Sequence, residues 1–401
     1  MRVRSCETYW LLKNGLINTY PSLHRDLRCD VLVVGAGITG ALMAFQFASE
    51  GYDTVLIDRN DVALGSTSAT TALLQYEIDT PLYILQDMVG ETVAQECYRE
   101  GVKAIERVEE LVNHFNIHCG FERRASVYVA HNRKHRDGLL KEFYARRNAG
   151  LKVEWLSDRD LAESYGVHGT GAIRSADAAC LDAYCMTHAL LTQASSKHPL
   201  QIYDHTEIDS ITYRTDGNDV RIRSGVSIHA TKMVFATGYE SHSLLKDKVA
   251  DLISTYACVS EPLETMPVAI SQNLFWTTHD PYLYVRSTSD SRILVGGADV
   301  AFKNAFRRAA LIDRKETDLV KQLKRLIPDI DIIPDFTWAG TFGVTKDSLP
   351  YIGPHPDFPN CYFVLGFGGN GITFSVMGMK ILSDALAGAD NPFLHYFRFD
   401  R

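Results

Sequence analysis

A glycine-rich segment at residues 33–40, VVGAGITG, constrains the fold more than any other feature of this chain. It follows an apolar run and precedes a stripe of apolar residues from Ile38 to about Glu50. The run is typical of a strand buried on both faces, and the stripe is typical of a helix. Gly51 ends that helix, and TVLID at 54–58 forms the next buried strand. The segment therefore predicts a strand–helix–strand unit in a parallel sheet.

Three glycines of this segment have the spacing GxGxxG. Gly35 permits a tight turn, Gly37 lets the backbone approach a pyrophosphate, and Gly40 lets helix and strand pack closely. The helix N-terminus offers free N–H groups to phosphate. Asp58 ends the second strand, where an acid accepts hydrogen bonds from ribose hydroxyls. The unit predicts dinucleotide binding without saying which dinucleotide, because Arg59 could neutralise the 2′-phosphate of NADP.

Composition excludes several classes of protein. The chain has 401 residues, 46% of them hydrophobic, and a net charge of −8. This is enough apolar material for two domains, and the acidic balance argues against a nucleic-acid partner. Eight cysteines without a CxxC pair indicate reduced thiols. The N-terminal segment does not resemble a signal peptide, and no apolar stretch reaches about 18 residues. We expect a cytoplasmic protein without a transmembrane segment.

Five segments occur in a characteristic order: VLVVGAGITG, GSTSATTALL, VFATG, WAGTFGVTKDSLPYIG and GFGGNGITFS. A single glycine motif is weak evidence, but the ordered set is specific. From Asp30 onward the chain resembles the D-amino-acid oxidase superfamily, most closely the glycine oxidase and sarcosine oxidase branch. The resemblance implies an α/β fold, α+β overall, with a Rossmann-like FAD-binding domain and an inserted antiparallel-sheet substrate domain. The expected FAD-binding domain comprises residues 1–82, 180–246 and 338–401, and the substrate domain 83–179 and 247–337.

The resemblance also implies FAD, bound non-covalently and in extended form. By position, Ile38 and Thr39 approach the pyrophosphate, Asp58 and Arg59 the adenosine, and Ile208 the adenine. The residues expected to bind FAD are Gly35, Gly37, Ile38, Thr39, Gly40, Asp58, Arg59, Ser66, Thr67, Thr71, Ala72, Leu73, Ile208, Gly238, Gly368, Gly369, Asn370, Gly371, Ile372 and Thr373.

The second glycine loop, GFGGNGITFS, precedes a predicted helix that begins near Asn370. The resemblance implies that the N–H groups of this helix point at the N1–C2=O edge of the flavin. The positive end of the helix would stabilise the negative charge of reduced flavin. The alternative is a packing helix with a glycine entry.

The implied reaction moves a hydride to flavin N5 from the C–H beside the nitrogen of a small amine or amino acid. The electron acceptor stays open between oxygen, a quinone and a protein, and Leu294 at the position of an oxygen-activating Lys favours a dehydrogenase. Three alternatives remain: an FAD-dependent dehydrogenase of a hydroxy acid or polyol phosphate, a nicotinamide enzyme, and a flavin-binding redox sensor without turnover.

Substrate residues are where the chain departs from the family it resembles. Two arginines that hold a substrate carboxylate correspond to Phe342 and Gly369 here. The substrate-facing Tyr of the family matches Tyr284. Arg286 shares a strand face with Tyr284, so we expect it either to replace the missing guanidinium or to pair with a surface acid. The cysteine that tethers FAD in sarcosine oxidases falls near Gly340.

We expect no metal site. His114, His118 and Cys119 have a spacing that could place ligands on one helix face, but no further cysteine or histidine cluster completes a zinc site.

Overall fold

The computed structural model describes residues 3–365 and 368–401, and leaves aside the side chains of 242 and 243. The start of the second glycine loop, residues 366–367, lies outside the described residues. The strands in chain order are β1 (Arg4–Ser5), β2 (Leu27–Val34), β3 (Thr54–Ile57), β4 (Leu73–Leu74), β5 (Glu122–Val129), β6 (Val153–Leu156), β7 (Ala172–Cys180), β8 (Leu200–Tyr203), β9 (Ile208–Tyr213), β10 (Asn218–Ile222), β11 (Ser227–Phe235), β12 (Asp251–Ser260), β13 (Asn273–Thr277), β14 (Leu283–Ser287), β15 (Ile293–Ala301), β16 (Pro334–Val344), β17 (Tyr351–Pro354) and β18 (Cys361–Leu365).

Helices connect these strands and cover the sheets. In chain order they are α1 (Tyr9–Asn14), α2 (Ile38–Ser49), α3 (Ser66–Ala69), α4 (Leu82–Val89), α5 (Glu91–His114), α6 (Arg133–Asn148), α7 (Asp158–Asp160), α8 (Ala183–Lys197), α9 (Val268–Gln272), α10 (Ala305–Ala310), α11 (Ile312–Leu326), α12 (Gly371–Ala387) and α13 (Pro392–Tyr396). None of the helices within 3–365 and 368–401 combines the length and apolar character needed to span a bilayer.

The first sheet has the strand order β17-β18-β11-β2-β3-β8, with β10 and β9 attached beside β11. Strands β18, β11, β2, β3 and β8 run parallel. Helix α2 packs between α8 and α12 against this sheet, and its residues are almost entirely apolar and buried. The parallel strand–helix–strand unit predicted around residues 33–58 is confirmed by β2, α2 and β3.

The second sheet has the order β1-β16-β12-β15-β14-β13-β5-β7-β4, with β6 beside β7. All its described pairings are antiparallel except that of β13 with β5, so the sheet is mixed. The predicted fold class, a parallel unit with an inserted antiparallel sheet, is confirmed. Strand β16 pairs with β12 as far as Val344, beyond the boundary expected at residue 338. We therefore propose that the chain returns to the first sheet after Val344, and otherwise keep the division as a proposal.

Two helices, α4 and α5, follow one another directly and meet at Gly90. Gly90 has φ +91°, a conformation that interrupts a right-handed helix and that glycine adopts without a steric penalty.

Candidate active site

The two glycine loops meet through the helices that follow them. The Oγ1 atom of Thr39 in α2 lies 2.8 Å from the Oγ atom of Ser375 in α12. Ser375 donates its own proton to the carbonyl of Gly371 at 2.6 Å, so Thr39 is the donor. The N-termini of α2 and α12 are therefore held side by side, and both begin at the same cavity.

Each glycine of the first loop is required by a close approach. A Cβ atom on Gly40 would lie 1.7 Å from the carbonyl oxygen of Gly35, within the loop itself. Gly35 has φ +103°, and its Cβ would lie 2.6 Å from the carbonyl oxygen of Ala236. A Cβ on Gly37 would lie 3.0 Å from the Thr67 hydroxyl, which accepts a hydrogen bond from the Ile38 N–H. The loop thus has no side chains at these three positions, as close approach of a phosphate to its backbone requires.

Asp58 anchors this loop from the end of β3. Its Oδ2 atom accepts the N–H of Ala36 at 2.7 Å, and its Oδ1 atom accepts the N–H of Asn60 at 2.9 Å. Burial raises the pKa of Asp58 above its usual value. Arg59 beside it pairs with Glu240. Because that carboxylate already balances the guanidinium, the geometry counts against a role for Arg59 in holding a 2′-phosphate.

A cavity of about 1750 Å³ runs from Asp58 along the first loop to the second glycine loop. It is larger than the roughly 300–1,000 Å³ of most small-molecule pockets, so it has room for an extended dinucleotide together with a substrate. All the residues expected to bind FAD line this cavity except Gly40, which packs behind the first loop.

Hydrogen bonds join the second glycine loop to residues 75–79. The Nδ2 atom of Asn370 donates to the carbonyl oxygens of Gln75 at 3.1 Å and Glu77 at 2.8 Å. The N–H of Gly369 donates to the Oδ2 atom of Asp79 at 2.8 Å. Helix α12 begins at Gly371, next to the predicted start at Asn370. Asp79 was not predicted as a site residue, although it lies only six positions after Leu73 of the expected FAD set.

Tyr284 lies on β14 and lines the cavity, together with Phe342 and Gly369. Burial, with a smaller effect from the charge of Asp299, raises the pKa of Tyr284 to about 12. Its phenol is therefore neutral at physiological pH. It interacts with the hydroxyls of Thr255 and Thr71, and Thr71 belongs to the expected FAD set. Tyr284 thus lies where the flavin-lining loop and the second sheet meet.

Arg286 does not reach this cavity. Its side chain is 2% exposed, its Nη2 atom donates to the carbonyl of Leu181 at 2.9 Å, and its guanidinium lies 5.2 Å from the centre of the Trp10 ring. It lines a separate cavity of about 190 Å³. Strand β14 carries residue 286 away from the large cavity although it shares a face with Tyr284. Neither substrate binding nor pairing with a surface acid is supported by this placement, and we do not retain either role.

Several aromatic residues of the cavity were not predicted. Tyr128 and Trp276 stack with ring centres 3.6 Å apart, and Tyr239 and Tyr282 line the same end. These residues come from β5, β13, the turn after β11 and the segment before β14. Trp276 and Tyr282 lie in the aromatic-rich stretch FWTTHDPYLY, and Tyr128 lies in ASVYVA. These stretches could have been noticed in the sequence, but only the fold brings them together.

One group of the described residues has side chains of metal-ligand type close together. Ligand atoms of Asp61, Asp204 and His205 lie within 4.8 Å of one another, and acidic groups of this kind are common without a metal. His118 and Cys119 line the small cavity.

The family model described as DAO, FAD dependent oxidoreductase, matches residues 30–385. Glycine oxidase of Geobacillus kaustophilus (strain HTA426) is 23% identical over 392 residues, which are 91% of this chain and 95% of that protein. Gamma-glutamylputrescine oxidoreductase of Escherichia coli (strain K12) is 25% identical over 405 residues, 95% and 89% of the two chains. The crystal structure of glycine oxidase from Geobacillus kaustophilus superposes with a TM-score of 0.75 at 20% identity, over 91% of this chain and 96% of that one. The chain belongs to the DAO family of FAD-dependent oxidoreductases.

Proposed function

We propose that this protein is an FAD-dependent enzyme that oxidises a small amine or amino acid at the carbon beside its nitrogen, with hydride passing to flavin N5. One observation carries the proposal: the Thr39–Ser375 hydrogen bond brings both glycine loops to one cavity, whose far end is lined by Tyr284. Two relatives are named for activity on glycine and on gamma-glutamylputrescine, which are an amino acid and an amine derivative.

The residues of the cavity fit FAD. The first loop presents the backbone of Gly35 and Gly37 to the cavity, and the N-terminus of α2 supplies positive partial charge to a pyrophosphate. The N-terminus of α12, 17 residues long, supplies the same charge at the other end of the cavity. We propose that FAD is held non-covalently, because Gly340 stands where relatives carry a tethering cysteine.

When bound, FAD would supply the electron sink for oxidation of the substrate carbon–nitrogen bond. The protein itself then has to bind the substrate, orient it and keep bulk water away from the reacting atoms. The neutral Tyr284 phenol can donate a hydrogen bond that orients the substrate. Asn370 holds the second glycine loop against residues 75–79, which fixes one wall of the site.

We propose that the physiological acceptor is a quinone or a protein rather than oxygen. Leu294, at the position of an oxygen-activating Lys, is fully buried and apolar. Slow reoxidation of the reduced protein by air, measured by stopped flow, would support this acceptor. Reoxidation as rapid as turnover would contradict it. A cytoplasmic location stays a prediction.

The test uses the purified protein under anaerobic conditions. A flavoprotein absorbs near roughly 450 nm, and substrates bleach that band when they pass electrons to the flavin. We expect bleaching by members of a panel of amines and amino acids. A colourless protein without FAD would overturn the proposal. Bleaching by hydroxy acids or polyol phosphates alone would assign the substrate to that class instead.

A further inference from the structure

The substrate end of the large cavity carries negative rather than positive charge. The arginines among its described lining residues are Arg4 and Arg59, and no lysine is among them. Arg4 donates to the carbonyl of Leu64 and pairs with Glu7, and Arg59 pairs with Glu240. Asp79, His279 and Asp280 also line the cavity. A substrate carboxylate would therefore find no unpaired guanidinium and no ammonium group among the described lining residues.

Asp79 occupies the space that a side chain at position 369 would need. Its Oδ2 atom accepts the Gly369 N–H, and a Cβ atom on Gly369 would lie 2.8 Å from its Oδ1 atom. A Cβ on Gly368 would lie 2.6 Å from its Oδ2 atom. Gly369 itself is not in the left-handed region, so its backbone would admit a side chain. The carboxylate of Asp79 therefore explains the glycine at 369.

Aromatic residues line the cavity together with this carboxylate. Burial raises the pKa of Tyr128, Tyr239 and Tyr282, so their phenols are neutral. The Tyr128 ring already has partners, because Trp276 stacks on it and the Arg146 guanidinium lies 5.9 Å from its centre. Tyr239 and Tyr282 share the cavity with Asp79. A carboxylate and aromatic rings that line one cavity can together stabilise an ammonium ion.

We propose that Asp79, together with Tyr239 and Tyr282, forms a cation subsite that binds an ammonium group of the substrate. The inference rests on the proposed function and narrows its substrate class. A nitrogen held as ammonium has no lone pair with which to form a carbon–nitrogen double bond, so it is not the reacting nitrogen. The substrate is therefore an amine with a second, cationic nitrogen, such as an aliphatic diamine, and carries no carboxylate at this end.

The test measures binding to the FAD-loaded protein by calorimetry with four-carbon probes of different charge: butylammonium, 1-butanol, butyrate and 1,4-diaminobutane. We expect butylammonium to bind at least about tenfold more tightly than 1-butanol, and butyrate to bind least. Asp79→Asn keeps an oxygen to accept the Gly369 N–H but removes the charge. It should weaken butylammonium and 1,4-diaminobutane at least about tenfold and leave 1-butanol unchanged. Asp137→Asn, which removes an exposed acid on α6 outside the cavity lining, should change neither.

A second variant tests the converse. Asp79→Ala combined with Gly369→Arg vacates the carboxylate space and fills it with a guanidinium, so butyrate should now bind more tightly than butylammonium. Unchanged butylammonium affinity in Asp79→Asn, or tighter binding of butyrate than butylammonium to the wild type, would overturn the subsite. So would a folded, FAD-loaded double variant that ignores butyrate. In those cases bleaching by amines or amino acids would leave the proposed function intact. Failure of every amine and amino acid to bleach the flavin would remove the proposed function but not the charge preference that calorimetry measures on the FAD-loaded protein.

Discussion

Thr39 donates its hydroxyl proton to Ser375 across 2.8 Å, and these residues are 336 positions apart in the chain. Ser375 donates its own hydroxyl proton to the Gly371 carbonyl, so in the bond between the two hydroxyls Thr39 is the donor. The bond joins the first turn of α2 to the second turn of α12, so the cradle expected to bind pyrophosphate and the loop expected to contact the flavin ring are positioned as one unit.

Removing that bond should loosen both loops. Thr39→Val keeps the shape of the side chain and removes the donor, so we expect a loss of about 1 kcal/mol in unfolding free energy and weaker FAD binding. Urea unfolding and FAD titration of the apoprotein measure the two effects. Thr317→Val on α11 removes a hydroxyl that bonds only within its own helix in the described contacts, and it should change neither quantity. Equal FAD affinity for Thr39→Val and the wild type would contradict the coupling.

The first loop should not tolerate a methyl group at Gly40. The added carbon would lie 1.7 Å from the Gly35 carbonyl oxygen, and two backbone segments cannot both yield. Gly40→Ala should therefore purify without FAD, or fail to fold at all. Gly65→Ala is the matched control, because Gly65 lines the same cavity but its Cβ would meet nothing within 4 Å. The flavin-to-protein absorbance ratio and the melting temperature distinguish the two variants, and a yellow Gly40→Ala protein would refute the steric argument.

Tyr284→Phe should impair turnover without releasing FAD. The variant loses a neutral hydrogen-bond donor near the place of reaction and keeps the ring, so we expect kcat/KM to fall by about 10- to 100-fold, or roughly 1.4–2.7 kcal/mol. Tyr144→Phe on the exposed face of α6 provides the control. Anaerobic single-turnover reduction is the measurement. If Tyr284→Phe is reduced at the wild-type rate, the Tyr284 hydroxyl has no role in the reaction.

Asp299 should make stability depend on pH. Burial, with a smaller contribution from the charge of Asp79, raises the pKa of Asp299 to about 7. In this range the folded state keeps a proton that the unfolded state has lost. The free energy of unfolding therefore falls as the pH rises from the ordinary pKa of an Asp side chain toward 7. Between pH 5 and pH 8 we expect the wild type to lose about 2.6 kcal/mol more than Asp299→Asn, at about 1.4 kcal/mol per pKa unit. Urea unfolding at both pH values measures this difference. If the two proteins lose the same unfolding free energy between pH 5 and pH 8, Asp299 does not hold the proton.

FAD should leave the protein when it is denatured. Gly340 offers no thiol, and among the described residues that line the cavity the cysteine is Cys6. Strand β1 pairs Arg4 with Gly340, which places Cys6 two residues further along the chain from this pair. Acid precipitation should release all the flavin into the supernatant. Yellow colour that stays with the pellet, and disappears in Cys6→Ser, would instead assign a covalent bond to Cys6.

Local sequence predicts most of the elements and the first loop, but not how distant segments meet. The spacing of Gly35, Gly37 and Gly40 is a local pattern, and the structure puts each at a close approach. Arg286 shows the limit, because alternation along a strand gives the face of a side chain and not what lies over that face. Asp79 shows it again: its bond to Gly369 joins residues 290 positions apart, and no periodicity reports such a pair.

The distance along the chain between the two halves of the site has a consequence for biosynthesis. A ribosome adding about 5–20 residues per second needs some tens of seconds to pass from Thr39 to Ser375. During that interval the nascent polypeptide displays a dinucleotide cradle whose second wall has not yet been made. Incorporation of the coenzyme therefore belongs at the close of translation, and until then the lining of the cleft is a surface for chaperones to shield.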